Sequence, residues 1–344
     1  MSKKFIASSG SAFVIAEAGV NHNGDINLAK KLIDVAVDAK ADCVKFQTFI
    51  PEKVMSIYAP KAAYQEVNAG AGEYQIDMVR KLQLPFKAFE ELASYCLRKN
   101  ILFLSTPFDF ESIQYLEKLN MPFYKVPSGE ITNFPHLEAI AELGHPMLIS
   151  TGMSTLDEVR AAVETVYKKG NKAIALMHCV SLYPAPVEYT NLKVMETLGN
   201  EFNVPVGLSD HTLDIEIALA AIAMGARVIE KHFTLDQSMT GPDHKASLNP
   251  HQLKDMIQKI RNIEKSFGDG IKKPHRLELD TASVARRSLV AARTIPRGTV
   301  LQREDIEIKR PGTGLMPSQL NAVLGRETLV EIKSDSLLSM EMLS

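Results

Sequence analysis

Short apolar runs rich in β-branched and aromatic residues alternate along the chain with longer segments whose apolar residues recur at helical spacing. The eight short runs are FVIAEAG (13–19), CVKFQTF (43–49), LFLSTPF (102–108), FYKVPSG (123–129), MLISTG (147–152), AIALMHC (173–179), VPVGLSD (204–210) and VIEKHFT (228–234). Helical spacing is clearest in the segments 28–39, 86–100, 156–169 and 215–225. This alternation predicts parallel strands joined by right-handed crossovers.

Eight strand–helix units in roughly 260 residues have the size of a closed (β/α)8 barrel, or TIM barrel. An open doubly wound sheet is the alternative, and it is less favoured because no G-x-G-x-x-G sequence follows the first run. Two connections are long, namely 51–83 after the second run and 181–191, with two prolines, after the sixth. Both follow the carboxyl end of a strand, so we expect them to help cover a substrate.

After a last predicted barrel helix over 250–267, the sequence no longer alternates between strand-like and helical segments. We predict a catalytic barrel over 1–268, a polar linker over 269–286 and a small, mostly β domain over 287–344. In that last part, short β-like runs are broken by Pro-Arg-Gly, Arg-Pro-Gly and Gly-Thr-Gly turns. A domain of this size is marginally stable alone and is expected to lean on another surface.

Composition narrows the class of protein. A net charge of −2 over 344 residues gives no overall field toward nucleic acid or anionic lipid. No apolar run approaches the roughly 18 residues of a membrane span, and the start of the chain lacks the apolar core of a signal peptide. The three cysteines have apolar neighbours and an odd count, which predicts buried thiols and a reducing, cytoplasmic location.

Polar residues close the eight predicted strands. In a parallel barrel all carboxyl ends converge on one face, where the active sites of such barrels lie, so this pattern predicts an enzyme. The strand-end residues are Glu17, Asn21, His22, Lys45, Gln47, Ser105, Thr106, Lys125, Ser128, Glu130, Ser150, Thr151, His178, Ser209, Asp210, His211, Glu230, Lys231 and His232.

Lys45 and Lys125 lie within strands beside polar strand ends. A strand lysine can point outward to solvent. At a barrel mouth it instead pairs with a phosphate or carboxylate, or forms a Schiff base, and the sequence alone does not choose between these. Ser128, Ser150 and Ser209 precede turn residues, where hydroxyls and backbone N–H groups cradle phosphate, although Ser-Gly pairs also serve simply as turn formers. Together the five residues suggest a phosphorylated carboxylate substrate.

His211 and His232 end adjacent strands, the seventh and the eighth. Most single histidines are structural, but two on neighbouring strands are placed to meet on one metal ion. With oxygen ligands from substrate and water completing the shell, the pair suits Mn²⁺, Mg²⁺ or Zn²⁺.

An ordered set of motifs then points to a family. The motifs are IAEAGVNHNGD, VKFQT, STPFD, YKVPSGEI, STGM, HCVSLYP, GLSDHT, EKHFTLD, GPDHKASLNP and KRPGTG. In this order, and over essentially the whole chain, they resemble the sialic acid synthase family. The tail resembles the C-terminal antifreeze-like (SAF) domain of that family.

The resemblance implies a condensation. Phosphoenolpyruvate would supply a three-carbon nucleophile and an open-chain N-acetylated hexosamine the aldehyde, giving a nine-carbon 2-keto acid and phosphate by C–O cleavage. The family uses a divalent metal, for which we expect Mn²⁺ with Mg²⁺ as the alternative, and no Schiff base. N-acetylmannosamine is the expected acceptor, and 2,4-diacetamido-2,4,6-trideoxymannose, the acceptor of N,N'-diacetyllegionaminate synthases, is the alternative.

The same resemblance assigns roles to residues. His211 and His232 match the metal ligands, and Glu17 matches a carboxylate that assists proton transfer or orients water. The positions that match phosphoenolpyruvate binding are Lys45, Thr106, Lys125, Ser128, Ser150 and Ser209. The positions that match the acceptor-sugar region are Gln47, Glu130, Tyr183 and Asp243. Arg310 matches an arginine that reaches the acetamido group from the tail of a second subunit, which implies a domain-swapped homodimer.

One departure and two alternatives stay open. Related sequences often continue His-Cys with Thr and a polar residue, whereas this chain has Val180 and Ser181, which puts the acceptor in more doubt than the reaction. A Schiff-base pyruvate aldolase that uses Lys125 or Lys45 is a second enzymatic hypothesis. A non-catalytic binding or scaffolding protein is a third, in which the tail binds carbohydrate or an ice-like surface and the barrel has decayed. The intact set of polar strand ends argues against it.

Overall fold

The computed structural model describes residues 10–69 and 72–344. The N-terminal segment, for which no signal peptide is predicted, begins outside the described residues. The chain divides into two compact units, the first ending at Phe267 and the second spanning Gly268–Ser344. In the described parts of the chain, no helix is both long and apolar enough to cross a membrane.

The first unit contains eight parallel strands, which confirms the predicted barrel architecture. Their bounds are β1 (Phe13–Gly19), β2 (Cys43–Thr48), β3 (Leu102–Pro107), β4 (Tyr124–Val126), β5 (Met147–Ser150), β6 (Ile174–Cys179), β7 (Val206–Asp210) and β8 (Val228–His232). The hydrogen-bonded order is β3-β2-β1-β8-β7-β6-β5-β4. The two end strands, β3 and β4, lie next to each other, which closes the sheet.

Helices follow the strands, and most of them cover the outside of the barrel with apolar stripes. Their bounds are α1 (Ile26–Asp38), α2 (Pro51–Val54), α3 (Ala63–Ala69), α4 (Gln75–Leu82), α5 (Phe86–Lys99), α6 (Phe110–Glu117), α7 (Phe134–Glu142), α8 (Leu156–Lys168), α9 (Val194–Phe202), α10 (Glu216–Ala223) and α11 (Pro250–Ser266). Helix α8 begins with a capping box, because Thr155 and Glu158 each accept a hydrogen bond from the other's backbone N–H. The long connection 51–83 is largely helical, since it contains α2, α3 and α4.

Side chains alternate between the inside and the outside of the barrel wall, as the period of a strand requires. On β8, Glu230 and His232 line the interior cavity. Lys231 points the other way, where its Nζ donates to Asp210 Oδ2 over 2.8 Å and to the Thr212 carbonyl over 2.6 Å. Consecutive residues of β8 therefore face opposite sides of the barrel wall, with Glu230 and His232 in the cavity and Lys231 outside it.

The second unit is small. It contains α12 (Glu278–Ala285), the antiparallel pair β9 (Ser288–Ala291) and β10 (Ile306–Lys309), and α13 (Leu320–Val323). Further isolated bridges extend the pairing, and a separate apolar core holds the unit together. Within the segment predicted as a linker, α12 is a regular helix whose residues are exposed or half-buried.

Candidate active site

The carboxyl ends of the strands surround a cavity of about 480 Å³. Among the residues that the structure describes, every predicted site residue except Glu130 and Arg310 lines it. The predicted residues in its wall are Glu17, Lys45, Gln47, Thr106, Lys125, Ser128, Ser150, Tyr183, Ser209, His211, His232 and Asp243.

Four buried charges form the floor of this cavity. Lys45 Nζ lies 2.8 Å from Glu17 Oε2 and 3.7 Å from Glu230 Oε2. Lys125 Nζ lies 3.6 Å from Glu230 Oε1. Each ammonium group therefore has a carboxylate neighbour, and the two lysines share Glu230. All four side chains are at most 5% exposed, so water screens these charges little.

The two carboxylates have opposite protonation behaviour. Burial raises the pKa of Glu17 to about 7, although the charge of Lys45 acts in the other direction. Burial would also raise the pKa of Glu230, but the charges of Lys125 and Lys45 outweigh it and hold that pKa at about 2. Glu230 is thus a fixed anion at neutral pH, while Glu17 can take up or release a proton.

Hydroxyl groups surround the two lysines. Lys125 Nζ donates to Ser150 Oγ over 2.6 Å, and Lys45 Nζ donates to Thr106 Oγ1 over 3.1 Å. Ser128 Oγ accepts from the backbone N–H of Gly152 over 3.0 Å. A Cβ at Gly152 would lie only 2.7 Å from that Ser128 Oγ, so glycine allows the backbone to approach. This arrangement of ammonium, hydroxyl and N–H groups is chemically suited to a phosphate or carboxylate.

The rings of His211 and His232 lie 5.4 Å apart, measured between centroids. His211 Nδ1 donates to the Val180 carbonyl over 2.7 Å, so Nε2 is the nitrogen that a metal ion can bind when the ring is neutral. Metal-binding histidines are commonly fixed by this kind of second bond. His232 Nδ1 is buried, has no hydrogen-bond partner among the described residues, and lies 3.9 Å from Asp243 Oδ2. The pair therefore fits two positions of a metal shell.

The protein supplies only part of such a shell. Within residues 10–69 and 72–344, no three His, Cys, Asp or Glu side chains come together as a metal-binding group. An ion held by the two imidazoles would need further ligands from substrate or water.

A second side of the cavity carries polar and aromatic groups. The Tyr183 ring lies 4.1 Å from the His211 ring and stacks on Tyr64, with 5.2 Å between those centroids. Gln47 Nε2 donates to Glu17 Oε1 over 3.1 Å. Burial raises the pKa of Asp243 to about 6, and the charge of His211 acts against that rise.

A third side is apolar. We call it the apolar wall, and it consists of Val20, Phe49, Val54, Met55, Met78, Val79, Leu82 and Phe108, all of which line the cavity. Most of it comes from the connection between β2 and α5, with α4 contributing Met78, Val79 and Leu82. Side chains that would be expected to pack into a core here face the same space as the charged floor.

Glu130 does not line the cavity, and Arg310 belongs to the second unit. Glu130 ends a short 3-10 turn (Ser128–Glu130), and its Oε2 accepts from Asn133 Nδ2 over 2.6 Å. Arg310 is an exposed residue of the second unit, directly after β10. Their roles in acceptor binding stay predictions.

Other cavity residues received no role from sequence. Glu230 was one of the strand ends, and strand alternation could have assigned it, because it lies two residues before His232 and therefore faces the same side. Cys179 is a buried free thiol, as predicted, and its Sγ lies 3.8 Å from His211 Nδ1. Tyr64 lies near the start of the short helix α3, and Ser181 lies in the loop after β6. Neither position has a strand period that would mark it as cavity-facing.

The chain is similar to known proteins over nearly its whole length. The chain matches the NeuB family over residues 32–272 and the SAF domain over residues 286–344. It is 48% identical to the N,N'-diacetyllegionaminic acid synthase of Campylobacter jejuni, covering 94% of this chain and 98% of that protein. It is 44% identical to the N,N'-diacetyllegionaminic acid synthase of Legionella pneumophila, covering 97% of this chain and 95% of that protein.

A solved structure is also similar. The N-acetylneuraminic acid (sialic acid) synthetase of Leptospira borgpetersenii, determined with citrate, superposes with a TM-score of 0.69 at 35% identity. The superposition covers 79% of this chain and 90% of that chain. These matches confirm the predicted enzyme class and the predicted SAF domain. The chain belongs to the NeuB family of sialic acid synthases.

Proposed function

We propose that the enzyme condenses phosphoenolpyruvate with an open-chain N-acetylated hexosamine to give a nonulosonic acid and phosphate. In the balanced reaction, C3 of phosphoenolpyruvate forms a bond to the aldehyde carbon, water adds at C2, and the bond between C2 and the phosphate oxygen breaks. The observation that carries the proposal is the meeting of the Lys45–Lys125 floor and the His211–His232 pair in one cavity.

Phosphoenolpyruvate would bind on the charged floor. Lys45 and Lys125 offer two ammonium groups to its phosphate and carboxylate, and Ser128 and Ser150 add short polar contacts at the strand ends. Before substrate arrives, Glu230 balances both lysines, which keeps the floor stable without a bound anion. The same donors would stabilise the charge on phosphate as it leaves.

Glu17 is suited to the proton that the attacking water must lose. Its carboxylate is buried beside Lys45, with a pKa of about 7, so it can accept a proton near neutral pH and release it again. Gln47 holds the other carboxylate oxygen in place through a 3.1 Å hydrogen bond. We propose that Glu17 is the group that takes this proton.

His211 and His232 would hold the divalent metal, with Mn²⁺ expected first and Mg²⁺ second. When bound, such an ion polarises the aldehyde oxygen as a Lewis acid. The tautomer of His211, fixed by the Val180 carbonyl, leaves Nε2 ready to act as a ligand.

Two observations favour a particular acceptor, 2,4-diacetamido-2,4,6-trideoxymannose. It carries two acetyl methyl groups and a methyl at C6, where N-acetylmannosamine has one acetyl group and a hydroxyl. The apolar wall offers a surface suited to those methyl groups. The two legionaminic acid synthases compared above, named for a product of this type, support the same choice. N-acetylmannosamine, the acceptor expected from sequence, is the second candidate.

The test is phosphate release from phosphoenolpyruvate with Mn²⁺ and each of the two sugars, assayed side by side. We expect release that requires an acceptor, is abolished by EDTA, and is faster with the diacetamido sugar. No release with either sugar would contradict the proposed reaction. Borohydride treatment with pyruvate separates the Schiff-base alternative, for which a covalent adduct on Lys125 or Lys45 is required; we expect none.

The homodimer and the role of Arg310 are also proposals, as is a cytoplasmic location. Their support is the resemblance of the KRPGTG motif to that of the family. Mixing inactive His211→Ala and Arg310→Ala proteins under conditions that allow subunit exchange provides a test. If Arg310 serves the site of the other subunit, a mixed dimer has one complete site and regains activity. If Arg310 serves its own chain, the mixture stays inactive.

A further inference from the structure

The sequence Asn21-His22-Asn23-Gly24, directly after β1, forms a tight turn that we call the β1 turn. Its four residues lie outside the set of described residues that line the cavity. The turn instead contacts the segment 234–248, which follows β8 and which we call the β8 loop. That loop contains Asp243, the residue assigned to the acceptor side of the cavity.

Asn21 connects the β1 turn to the backbone of Asp243 in two steps. Its Nδ2 donates to the Phe233 carbonyl over 2.8 Å and to Ser247 Oγ over 2.9 Å. Ser247 Oγ in turn donates to the carbonyl of Asp243 over 2.6 Å. Asn21 and Ser247 are both buried, so these bonds have little competition from water.

Asn23 makes a second connection. Its Nδ2 donates to the Thr240 carbonyl over 2.9 Å, and a carbonyl can only accept, so the orientation of the amide is fixed. Its Oδ1 therefore faces His244 Nε2, which donates to it over 3.2 Å. His244 Nδ1 then accepts from Thr234 Oγ1 over 2.7 Å. Both ring nitrogens of His244 are thus engaged, and burial lowers the pKa of His244 to about 4, which keeps the ring neutral.

Glycine makes this close approach possible. A Cβ at Gly241 would lie 2.7 Å from His244 Cδ2 and 2.9 Å from Asn23 Oδ1, closer than real Cβ contacts. At φ 156° the residue also has a backbone conformation that other residues rarely adopt. The β8 loop therefore passes directly over the bond between Asn23 and His244.

We infer that Asn21 and Asn23 are positioning residues, which hold the β8 loop so that Asp243 faces the acceptor. The inference rests on the proposed function, because it takes Asp243 as an acceptor-binding group. It assigns to the β1 turn a task in acceptor binding that is separate from phosphoenolpyruvate binding on the floor.

Asn23 provides the test, because it is half-buried and has φ 50°, a conformation that glycine adopts freely. Asn23→Gly removes both side-chain bonds without straining the backbone. We expect the acceptor KM to rise about fivefold to tenfold, as for the loss of one or two hydrogen bonds, while the phosphoenolpyruvate KM changes less than about twofold. Asn23→Asp keeps an oxygen for His244 and should recover part of the loss.

Asn100→Gly is the matched control. Asn100 has a similar φ of 57°, is exposed at the end of α5, and lies far along the chain from the β1 turn. It should leave both KM values unchanged. Equal rises in both KM values for Asn23→Gly, or no rise in either, would overturn the inference.

Hydrogen exchange gives a readout that needs no activity. Backbone amides of residues 239–247 should exchange faster in Asn23→Gly than in the parent protein or in Asn100→Gly. Unchanged exchange there would also overturn the inference. If the parent protein released no phosphate with either sugar, the proposed function would fail, and the exchange measurement would still decide whether the β1 turn holds the loop.

Discussion

The charged floor and the apolar wall of the cavity are built in different ways. The floor consists of side chains on the strands themselves, such as Lys45 on β2, Lys125 on β4 and Glu230 on β8. The strands hold those groups in register with their neighbours. The apolar wall comes mainly from the connection 51–83, where short helices fold back over the strand ends.

This difference in construction separates the proposed binding of phosphoenolpyruvate from the proposed selection of the acceptor sugar. The groups proposed to act on phosphoenolpyruvate are fixed by the barrel, whose geometry tolerates little change. The groups proposed to select the acceptor lie on a segment that can change in length and sequence without disturbing the strands. Substitutions in each region can test whether the floor and the wall are as independent as their construction suggests.

The largest effect is expected on the floor, for Lys125→Met. The change removes a buried ammonium group that is proposed to bind phosphoenolpyruvate, and it leaves Glu230 with one lysine neighbour instead of two. We expect kcat/KM for phosphoenolpyruvate to fall about a hundredfold to a thousandfold, with the ratio between the two acceptors unchanged. Lys172→Met, at an exposed position before β6, is the control. A fall of less than about tenfold would argue against a direct role.

Glu230→Gln should affect stability more than binding. Without its charge, two buried ammonium groups lose their shared partner, so we expect the free energy of unfolding to fall by about 3 kcal/mol. Phosphoenolpyruvate should restore part of this loss, because its negative charge replaces that of Glu230. Urea unfolding with and without phosphoenolpyruvate measures both values, with exposed Glu196→Gln as the control. An equal response of the variant and the parent to phosphoenolpyruvate would contradict this view of the floor.

A third prediction concerns the β1 turn, which contacts both the β8 loop and α4. A Cβ at Gly24 would lie 2.6 Å from the Lys81 carbonyl of α4, so the turn packs directly on the helix that carries the wall. His244, which bonds to that turn, has a pKa lowered by burial from 6.5 to about 4. Below pH 6.5 the His244 side chain is protonated in the unfolded chain but stays neutral in the folded chain until the pH nears 4. The free energy of unfolding therefore falls as the pH is lowered from 6.5 toward 4.

For this one histidine the loss between pH 8 and pH 5 should be about 2 kcal/mol. Unfolding measured across that range in His244→Gln, which keeps an amide donor, should show a shallower fall than the parent protein. Parallel curves for the two proteins would mean that His244 is not held neutral by the fold.

The smallest effect is expected on the wall. Val79→Thr changes shape little but adds a hydroxyl to a surface proposed to meet a methyl group. We expect the preference for the diacetamido sugar over N-acetylmannosamine to fall about fivefold, with kcat/KM for phosphoenolpyruvate unchanged. Val163→Thr on α8, also buried, controls for the stability cost of the same substitution. An equal change with both sugars would show that the wall does not select.

The sequence predicted the barrel well because its signals are local. Runs of β-branched residues mark strands wherever they lie, and seven of the predicted runs agree closely with the strands. The fourth run, predicted over 123–129, is observed only as Tyr124–Val126, because Pro127 has no N–H for a ladder and the chain turns at Ser128. The four residues of α2 are too few for any helical period to appear.

The sequence predicted the site residues on the strands more completely than those that the connections contribute. Lys45, Lys125 and the two histidines could be found because strand ends converge by topology alone. The stacking of Tyr64 on Tyr183 depends on how the short helix α3 packs against the loop after β6, and nothing in the local sequence encodes that contact. The apolar wall was missed for the same reason, since an apolar residue in a helix is normally expected to face the core.

The alternation on β8 has a consequence for how such enzymes can diversify. Glu230 and His232 face the cavity, while Lys231 between them is tied to Asp210 outside the wall. A one-residue insertion or deletion within this strand would bring Lys231 inside and expel both neighbours, losing the reaction and the fold together. We therefore expect the chain to tolerate changes in length only in the connections, where a different acceptor could be accommodated while the groups on the strands keep their places.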